Sequence, residues 1–367
     1  MSDYSALAPF KELEKYEEYL KIKSLYWDIG TNEFVWLDTR LLPFEEVYRR
    51  TRDYKRVAQA IKTMEIRGAP AIGVSAAYGM ALAALYSKAR NSEELMRDIR
   101  EAYETLRSTR PTAYNLFWAL DRVLNKAQET SKSGDPEKVK EAILEEAATI
   151  HVEDVRSNIS IGKHGSKLID NGDVILTHCN TGVLATSGFG TALGVIRYAW
   201  YEGKKIKVIT TETRPVLQGA RLNVWELKKE GIPFTLITDG MPGLVFRQGM
   251  ADLAIVGADR IILTGHTANK IGTYMVALAA FDNDKPFYVA APTSTIQKST
   301  NPEDIVIEVR DPEEVRTVLG RYRLTLPDVD VYNPSFDITP PRYITGIITE
   351  KGVVYPPYIR NLRAILE

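Results

Sequence analysis

The sequence sets its one thiol where a strand gives way to a polar loop, in the run Val174-Ile175-Leu176-Thr177-His178-Cys179-Asn180-Thr181-Gly182. Val174 to Leu176 is a short apolar run that reads as a buried strand. Small and polar residues follow, and an apolar helix pattern resumes from about Thr191 to Trp200. A strand, a Gly/Ser/Thr loop and a helix form the junction at which open α/β sheets hold their ligands. The N–H groups of such a loop, with a helix N-terminus behind it, favour an anion such as phosphate. Cys179 is the only cysteine of the chain. A lone cysteine is as a rule a small buried hydrophobe. Its place at the exit from the core suggests chemistry, and spacing alone leaves both roles open.

Other polar groups gather at similar places. Arg67-Gly68-Ala69-Pro70-Ala71-Ile72-Gly73 reads as a helix-entry loop with a cation at its lip, which can bind an anion. Apolar runs end in Thr211-Glu212-Thr213-Arg214-Pro215 with Gln218-Gly219-Ala220-Arg221, in Thr238-Asp239-Gly240-Met241, and in Gly257-Ala258-Asp259-Arg260. Asn269-Lys270 and Pro292-Thr293-Ser294-Thr295 follow. No His/Cys/Asp cluster has zinc-ligand spacing, so no metal is expected. Gly188-Phe189-Gly190 lacks the third glycine of a dinucleotide fingerprint, so no nicotinamide cofactor is expected.

These groups need a sheet to hold them. From Asp173 onward, apolar runs at Val174–Thr177, Ile206–Thr210, Phe234–Ile237, Leu253–Val256 and Phe287–Ala290 alternate with helical stretches near 191–202, 218–230, 241–249 and 270–282. Runs apolar on both faces are strands of a parallel sheet covered by helices. The fold class is therefore α/β, a Rossmann-like doubly wound sheet in the C-terminal domain. A smaller, mainly helical domain precedes it. That domain opens with a helix over 11–21 and a β-hairpin of Ser24–Trp27 with Phe34–Leu37. Helices over Leu42–Lys62, 69–89, Asn91–Leu106 and Asn115–Ala127 follow. Ser131-Lys132-Ser133-Gly134-Asp135-Pro136 is the clearest linker signal, placing the domains at 1–132 and 133–367. Residues 137–169 read as a long amphipathic helix or a helix pair.

Composition narrows the classes. The 367 residues are 44% hydrophobic and 26% charged, with a net charge of −1, which offers no electrostatic footprint for nucleic acid. Gly73–Tyr86, the longest nearly apolar stretch, is too short and too rich in small residues to span a bilayer. The N-terminus has no signal-peptide core. A single cysteine fits a reducing compartment, so a soluble cytoplasmic protein without nucleic-acid or membrane partners is expected. Plentiful Lys and Glu with scarce Gln hint at a thermophile.

Six of these motifs, in order, resemble the methylthioribose-1-phosphate isomerase family. They are Arg67–Gly73, Arg110-Pro111-Thr112, His178–Gly182, Glu212–Pro215 with Gln218–Arg221, Gly257–Arg260, and Asn269–Tyr274. The resemblance runs from about residue 23 to the end. It extends to a superfamily that also holds ribose-1,5-bisphosphate isomerases and the regulatory subunits of translation initiation factor two B. Cys179 together with Asp259 points to the isomerases. Three places depart from the pattern: Thr238–Pro242, Ile307–Arg310 and the added stretch 319–332.

The resemblance implies conversion of 5-methylthioribose 1-phosphate to 5-methylthioribulose 1-phosphate, a methionine-salvage step, with no cofactor. It implies Asp259 as acid/base and Cys179 as the second catalytic group. Arg67, with the N–H groups of Gly68 and Ala69, would take the phosphate, assisted by Arg110. Gln218, Asn269 and Lys270 would hold sugar hydroxyls or phosphate. A homodimer built on the second domain is implied as well. The rival activities are a ribose-1,5-bisphosphate isomerase and a non-catalytic initiation-factor-two-B-like subunit.

Overall fold

The computed structural model describes Tyr4, residues 6–110 and residues 114–367. The chain forms two compact units by packing: residues 1–157 with 183–190, and residues 158–182 with 191–367.

The first unit holds β1 (Leu25–Asp28), β2 (Glu33–Leu37) and β3 (Tyr48–Thr51) in a three-stranded antiparallel sheet, order β1-β2-β3. Its helices are α1 (Ala8–Glu14), α2 (Tyr54–Lys62), α3 (Ala69–Leu85), α4 (Ser92–Arg107), α5 (Tyr114–Ser131) and most of α6 (Pro136–Gly165). Fourteen residues of α3, from Ala71 through Ala84, are buried. A helix apolar on every side must be the centre of a helical layer, and its glycines and alanines let α4 and α5 approach closely. The linker Ser131–Pro136 is the turn between α5 and α6.

The expected hairpin is β1–β2. The expected helix over Leu42–Lys62 is corrected: its first part holds β3, and α2 begins only after Asp53, whose side chain caps it by accepting from the Lys55 N–H. Tyr48 to Thr51 alternate exposed and half-buried, as an edge strand does. The first helix is Ala8–Glu14, not 11–21, and the Ala-rich helix stops at Leu85, not Ala89.

The second unit contains β4 (Val174–Thr177), β5 (Lys207–Thr211), β6 (Phe234–Ile237), β7 (Leu253–Val256), β8 (Arg260–Ile262), β9 (Thr267–Lys270) and β10 (Phe287–Ala290). After them come β11 (Ile296–Gln297), β12 (Thr317–Val318), β13 (Tyr322–Arg323), β14 (Phe336–Thr339), β15 (Gly346–Thr349) and β16 (Gly352–Val354). Its helices after α6 are α7 (Ala192–Tyr201), α8 (Val224–Glu230), α9 (Pro242–Arg247), α10 (Thr273–Asp282), α11 (Glu313–Arg316) and α12 (Tyr358–Leu366).

The main sheet has the order β16-β15-β10-β7-β4-β5-β6, parallel except for β16. Counted from β4, its six parallel strands run 3-2-1-4-5-6, the Rossmann order. A second sheet, β11-β8-β9-β14, and the β12–β13 hairpin were not anticipated. Their strands are two to four residues long, too short to show a period. Among the described residues, no helix is long and apolar enough to cross a membrane.

Candidate active site

The reversal of strand order falls between β4 and β7, which pair in parallel at Ile175–Leu253 and Leu176–Ala254. The carboxyl ends of two such strands open a crevice. Cys179 follows the end of β4 and Asp259 follows the end of β7. The two loops touch: a Cβ on Gly257 would lie 2.5 Å from the Thr181 methyl group.

Cys179 is buried and adopts φ +63°. Left-handed backbone is uncommon outside glycine and stores strain unless its surroundings hold it. Here both main-chain groups are held by side chains. The Cys179 N–H donates to Thr213 Oγ1 at 2.9 Å, and its carbonyl accepts from Asn223 Nδ2 at 2.6 Å. Asn180 Nδ2 donates to Asn223 Oδ1 and Glu226 Oε1, at 3.0 and 2.8 Å. Glu226 and Glu230 share the Arg197 guanidinium at 3.1 and 2.9 Å, all three side chains being buried. Gly182 leaves room for the Glu226 carboxylate, since a Cβ there would lie 1.9 Å from Oε2. A buried ion pair of this kind fixes geometry more than it adds stability.

Asp259 opens a hairpin. Its N–H donates to the Ala268 carbonyl at 2.9 Å, and β8 pairs antiparallel with β9. The returning strand carries Asn269 and Lys270, so Asp259 is brought beside them. Asn269 Nδ2 donates to Thr273 Oγ1 at 3.1 Å, and Thr273 Oγ1 donates to the Lys270 carbonyl at 2.7 Å. The Lys270 ammonium sits 4.8 Å from the Phe336 ring centre, a cation–π contact in a side chain only 9% exposed. Asp337 accepts from the Gly272 and Tyr274 N–H groups at 2.7 and 3.1 Å. Burial pushes the Asp337 carboxyl up to about 6, against the pull of those donors and of Lys270.

Gln218 begins a π-helical turn, Gly219–Asn223. Such turns recur at functional sites. Gly219 is pressed on the Thr211 carbonyl, where a Cβ would lie 1.7 Å from the oxygen. Gln218 is 6% exposed and its Oε1 has no hydrogen-bond partner in the protein. A buried acceptor of this kind suits a ligand hydroxyl, because leaving it unpaired costs about 1–3 kcal/mol.

The loops are joined to one another. His178 Nδ1 lies 2.6 Å from Thr211 Oγ1, and Nε2 lies 2.9 Å from the Ile271 carbonyl. Burial pushes the imidazole pKa down, so the ring is neutral; Asp239 and the Ile271 carbonyl act the other way, and Lys270 adds to the lowering. Asp239 accepts from the Thr213 and Arg214 N–H groups at 2.8 and 2.6 Å, tying the β5 loop to the β6 loop.

Arg67, Gly68, Ala69 and Arg110 belong to the first unit. Gly68 precedes α3 with φ +91°, and a Cβ on it would lie 2.3 Å from the Ala185 carbonyl oxygen, so only glycine fits. Pro70 at the start of α3 has no N–H to leave unpaired. The starts of α3 and α5 pack together: a Cβ on Gly73 would lie 2.9 Å from the Asn115 carbonyl. Arg67, just before α3, and Arg110, shortly before α5, are thus carried to one end of the helix pair. Pro111 and Thr112 of the Arg110 motif lie outside the described residues.

Sequence reasoning gave no role to His178, Thr211, Thr213, Asn223, Asp239 or Asp337. His178, Thr211, Thr213 and Asp239 stood inside quoted motifs, and a strand-end polar residue is the one signal that could have marked them. Asn223 and Asp337 act through contacts remote in sequence, which no local pattern reports. Asn115, buried at the start of α5 with Oδ1 unpartnered, was also missed. Among the described residues, no group of three or more His, Cys, Asp or Glu could hold a metal ion.

Comparison with known proteins gives a consistent answer. A sequence profile of the Initiation factor 2 subunit family matches residues 65–356. The methylthioribose-1-phosphate isomerase of Thermosipho melanesiensis is 49% identical over 95% of this chain and 100% of its own. A relative from Aeropyrum pernix, provisionally given the same name, is 61% identical over 97% of both chains. The crystal structure of 5-methylthioribose 1-phosphate isomerase from Pyrococcus horikoshii matches at TM-score 0.89 and 45% identity, covering 95% of this chain and 97% of that one. The translation initiation factor eIF-2B subunit delta from A. fulgidus matches at TM-score 0.85 and 45% identity, covering 94% and 99%. The chain belongs to the Initiation factor 2 subunit family, in the part that holds the methylthioribose-1-phosphate isomerases.

Proposed function

We propose that the chain is an aldose–ketose isomerase that converts 5-methylthioribose 1-phosphate to 5-methylthioribulose 1-phosphate, a methionine-salvage step. The observation that carries this reading is the pairing of β4 with β7, which sets the Cys179 and Asp259 loops side by side at the strand-order reversal. Near-identical length and high identity to relatives of that name support it.

The substrate carries phosphate on its anomeric oxygen, so its ring cannot open as a free hemiacetal does. Asp259 supplies the proton that the ring oxygen needs, and the open chain is held while hydrogen moves between C2 and C1. Cys179 is the second catalytic group, passing a proton or stabilising charge in the transition state. Arg67 with the N–H groups of Gly68 and Ala69 binds phosphate, and Arg110 assists through a planar fork that matches its oxygens. Gln218, Asn269 and Lys270 hold hydroxyls or phosphate. The working form is a cytoplasmic homodimer built on the second unit.

The test is proton NMR of purified protein in deuterated water, comparing 5-methylthioribose 1-phosphate with ribose 1,5-bisphosphate. Turnover of the first alone, lost in Asp259→Asn, upholds the reading. Deuterium at C1 of the product would favour proton transfer over a hydride shift. Turnover of the second alone moves the chain to the bisphosphate isomerases. No turnover of either by folded protein favours a regulatory subunit, the reading suggested by the A. fulgidus neighbour.

A further inference from the structure

We infer that His178 is a positioning residue for this reaction: held as its Nε2–H tautomer, it ties the Cys179 turn to the Asn269–Lys270 strand end through one hydrogen-bond chain of fixed direction. This rests on the isomerase reading above.

The direction follows from valence. The Ile271 carbonyl can only accept, so His178 Nε2 carries the proton across the 2.9 Å contact. In the neutral ring Nδ1 is then a lone pair, and the Thr211 hydroxyl must donate to it at 2.6 Å. With that proton committed, the 3.1 Å contact between the Thr211 and Thr213 hydroxyls can be filled only by the Thr213 proton, whose other acceptor, the Thr211 carbonyl, lies farther away at 3.4 Å. Thr213 Oγ1 in turn accepts the Cys179 N–H at 2.9 Å. With the shorter Thr213 contact filled, the chain runs one way, from the Cys179 N–H through Thr213, Thr211 and His178 to the Ile271 carbonyl.

The chain's two ends are the two parts of the site that must stay in register. One is the left-handed turn at Cys179. The other directly follows Asn269 and Lys270. Gly272 adds a steric lock: its φ is +102°, and a Cβ on it would lie 2.9 Å from His178 Cε1. A proton on Nδ1 would face the Thr211 hydroxyl and force the threonine protons to turn. Burial opposes that protonation.

Two substitutions cut the chain on different sides. His178→Asn keeps an acceptor near the Nδ1 position and loses the bond to Ile271, releasing the Asn269–Lys270 end. It is expected to raise KM about tenfold with kcat within about threefold of the parent. His178→Gln keeps an N–H near the Nε2 position and loses the acceptor for Thr211, releasing the Cys179 end. It is expected to lower kcat about tenfold with KM within about threefold. Thr211→Val should follow His178→Gln, and Thr211→Ser should restore the parent values.

A histidine that only fills space would lower the melting temperature in every variant and leave kcat and KM of the folded enzyme unchanged; that result overturns the inference. Nitrogen-15 NMR of the imidazoles, four in the chain, reads the tautomer without turnover. An Nδ1–H form of His178 in the parent also overturns the inference, whatever the assay gives. A parent inactive on 5-methylthioribose 1-phosphate that still shows the Nε2–H form overturns the proposed reaction instead.

Discussion

Each unit buries one histidine in the same valence state, and the two differ in what lies behind their partners. In the first unit His151, on α6, has Nδ1 3.0 Å from the Tyr78 hydroxyl and Nε2 3.3 Å from the Ser187 carbonyl. In the second unit His178 has Nδ1 against the Thr211 hydroxyl and Nε2 against the Ile271 carbonyl. The Tyr78 ring stacks on Trp27 and leans on Phe34, so that hydrogen bond ends in an aromatic cluster. The Thr211 hydroxyl instead passes the connection through Thr213 to the backbone of Cys179. A buried histidine satisfied on both nitrogens is therefore structural or site-directing according to its second neighbours.

Variants of the polar edge of the second unit should change rates, and variants of the aromatic centre of the first should change stability. The largest separation is expected from Asp259→Asn. Loss of a general acid typically removes 10²–10⁴-fold, so kcat should fall about 10³-fold with the melting temperature unchanged. A large drop in melting temperature instead would make Asp259 a structural group and break the comparison.

The next effect, about 3 kcal/mol, belongs to His151. Burial pushes its pKa down from 6.5 to about 4. A depressed group contributes stability that is present above 6.5 and lost as pH falls toward about 4. His151→Gln should remove this contribution, so that its stability in urea rises relative to the parent on acidification, while kcat/KM stays within about twofold. A rate loss comparable to that of the His178 variants would erase the distinction between the two histidines.

Arg67→Ala sharpens the comparison, because it tests a first-unit residue outside the aromatic centre. Loss of a charged hydrogen bond, about 1.5–3 kcal/mol, should raise KM roughly 10- to 100-fold without changing the melting temperature. An unchanged KM would leave α3 with packing duties alone.

The difference between the units also decided what could be read from sequence. The strands β4, β7 and β10 coincide with their apolar runs, since a strand covered on both faces needs no alternation to be seen; β6 coincides with its run too, although it is the edge strand and Thr235 and Leu236 are exposed. The candidate residues at their ends followed directly. By contrast, β3 was hidden inside a helix-like stretch, because Tyr48-Arg49-Arg50-Thr51 has no apolar face to reveal its period. The second sheet and the groups behind Cys179 stayed hidden for another reason. Asn223, Glu226 and Asp337 have roles only through partners far away in sequence.

The last effect is a slope, and it sets the two units against each other. Asp337 accepts two N–H groups at the start of α10, an arrangement that ordinarily lowers a carboxyl pKa. Burial outweighs it and the pKa rises from 3.8 to about 6. A raised group contributes stability that is full below 3.8 and lost as pH rises through about 6. His151 in the first unit slopes the other way over nearly the same window, from 6.5 down to about 4. If the units unfold together, the two slopes offset each other and the parent's stability changes little across this range. Asp337→Asn should then expose a curve that falls on acidification, and His151→Gln one that falls as pH rises. If the units unfold separately, the parent itself should show two transitions moving in opposite directions between pH 4 and 6.5. Urea unfolding of the three proteins at several pH values would read the slopes, and parallel curves in all three would remove both residues from the pH balance.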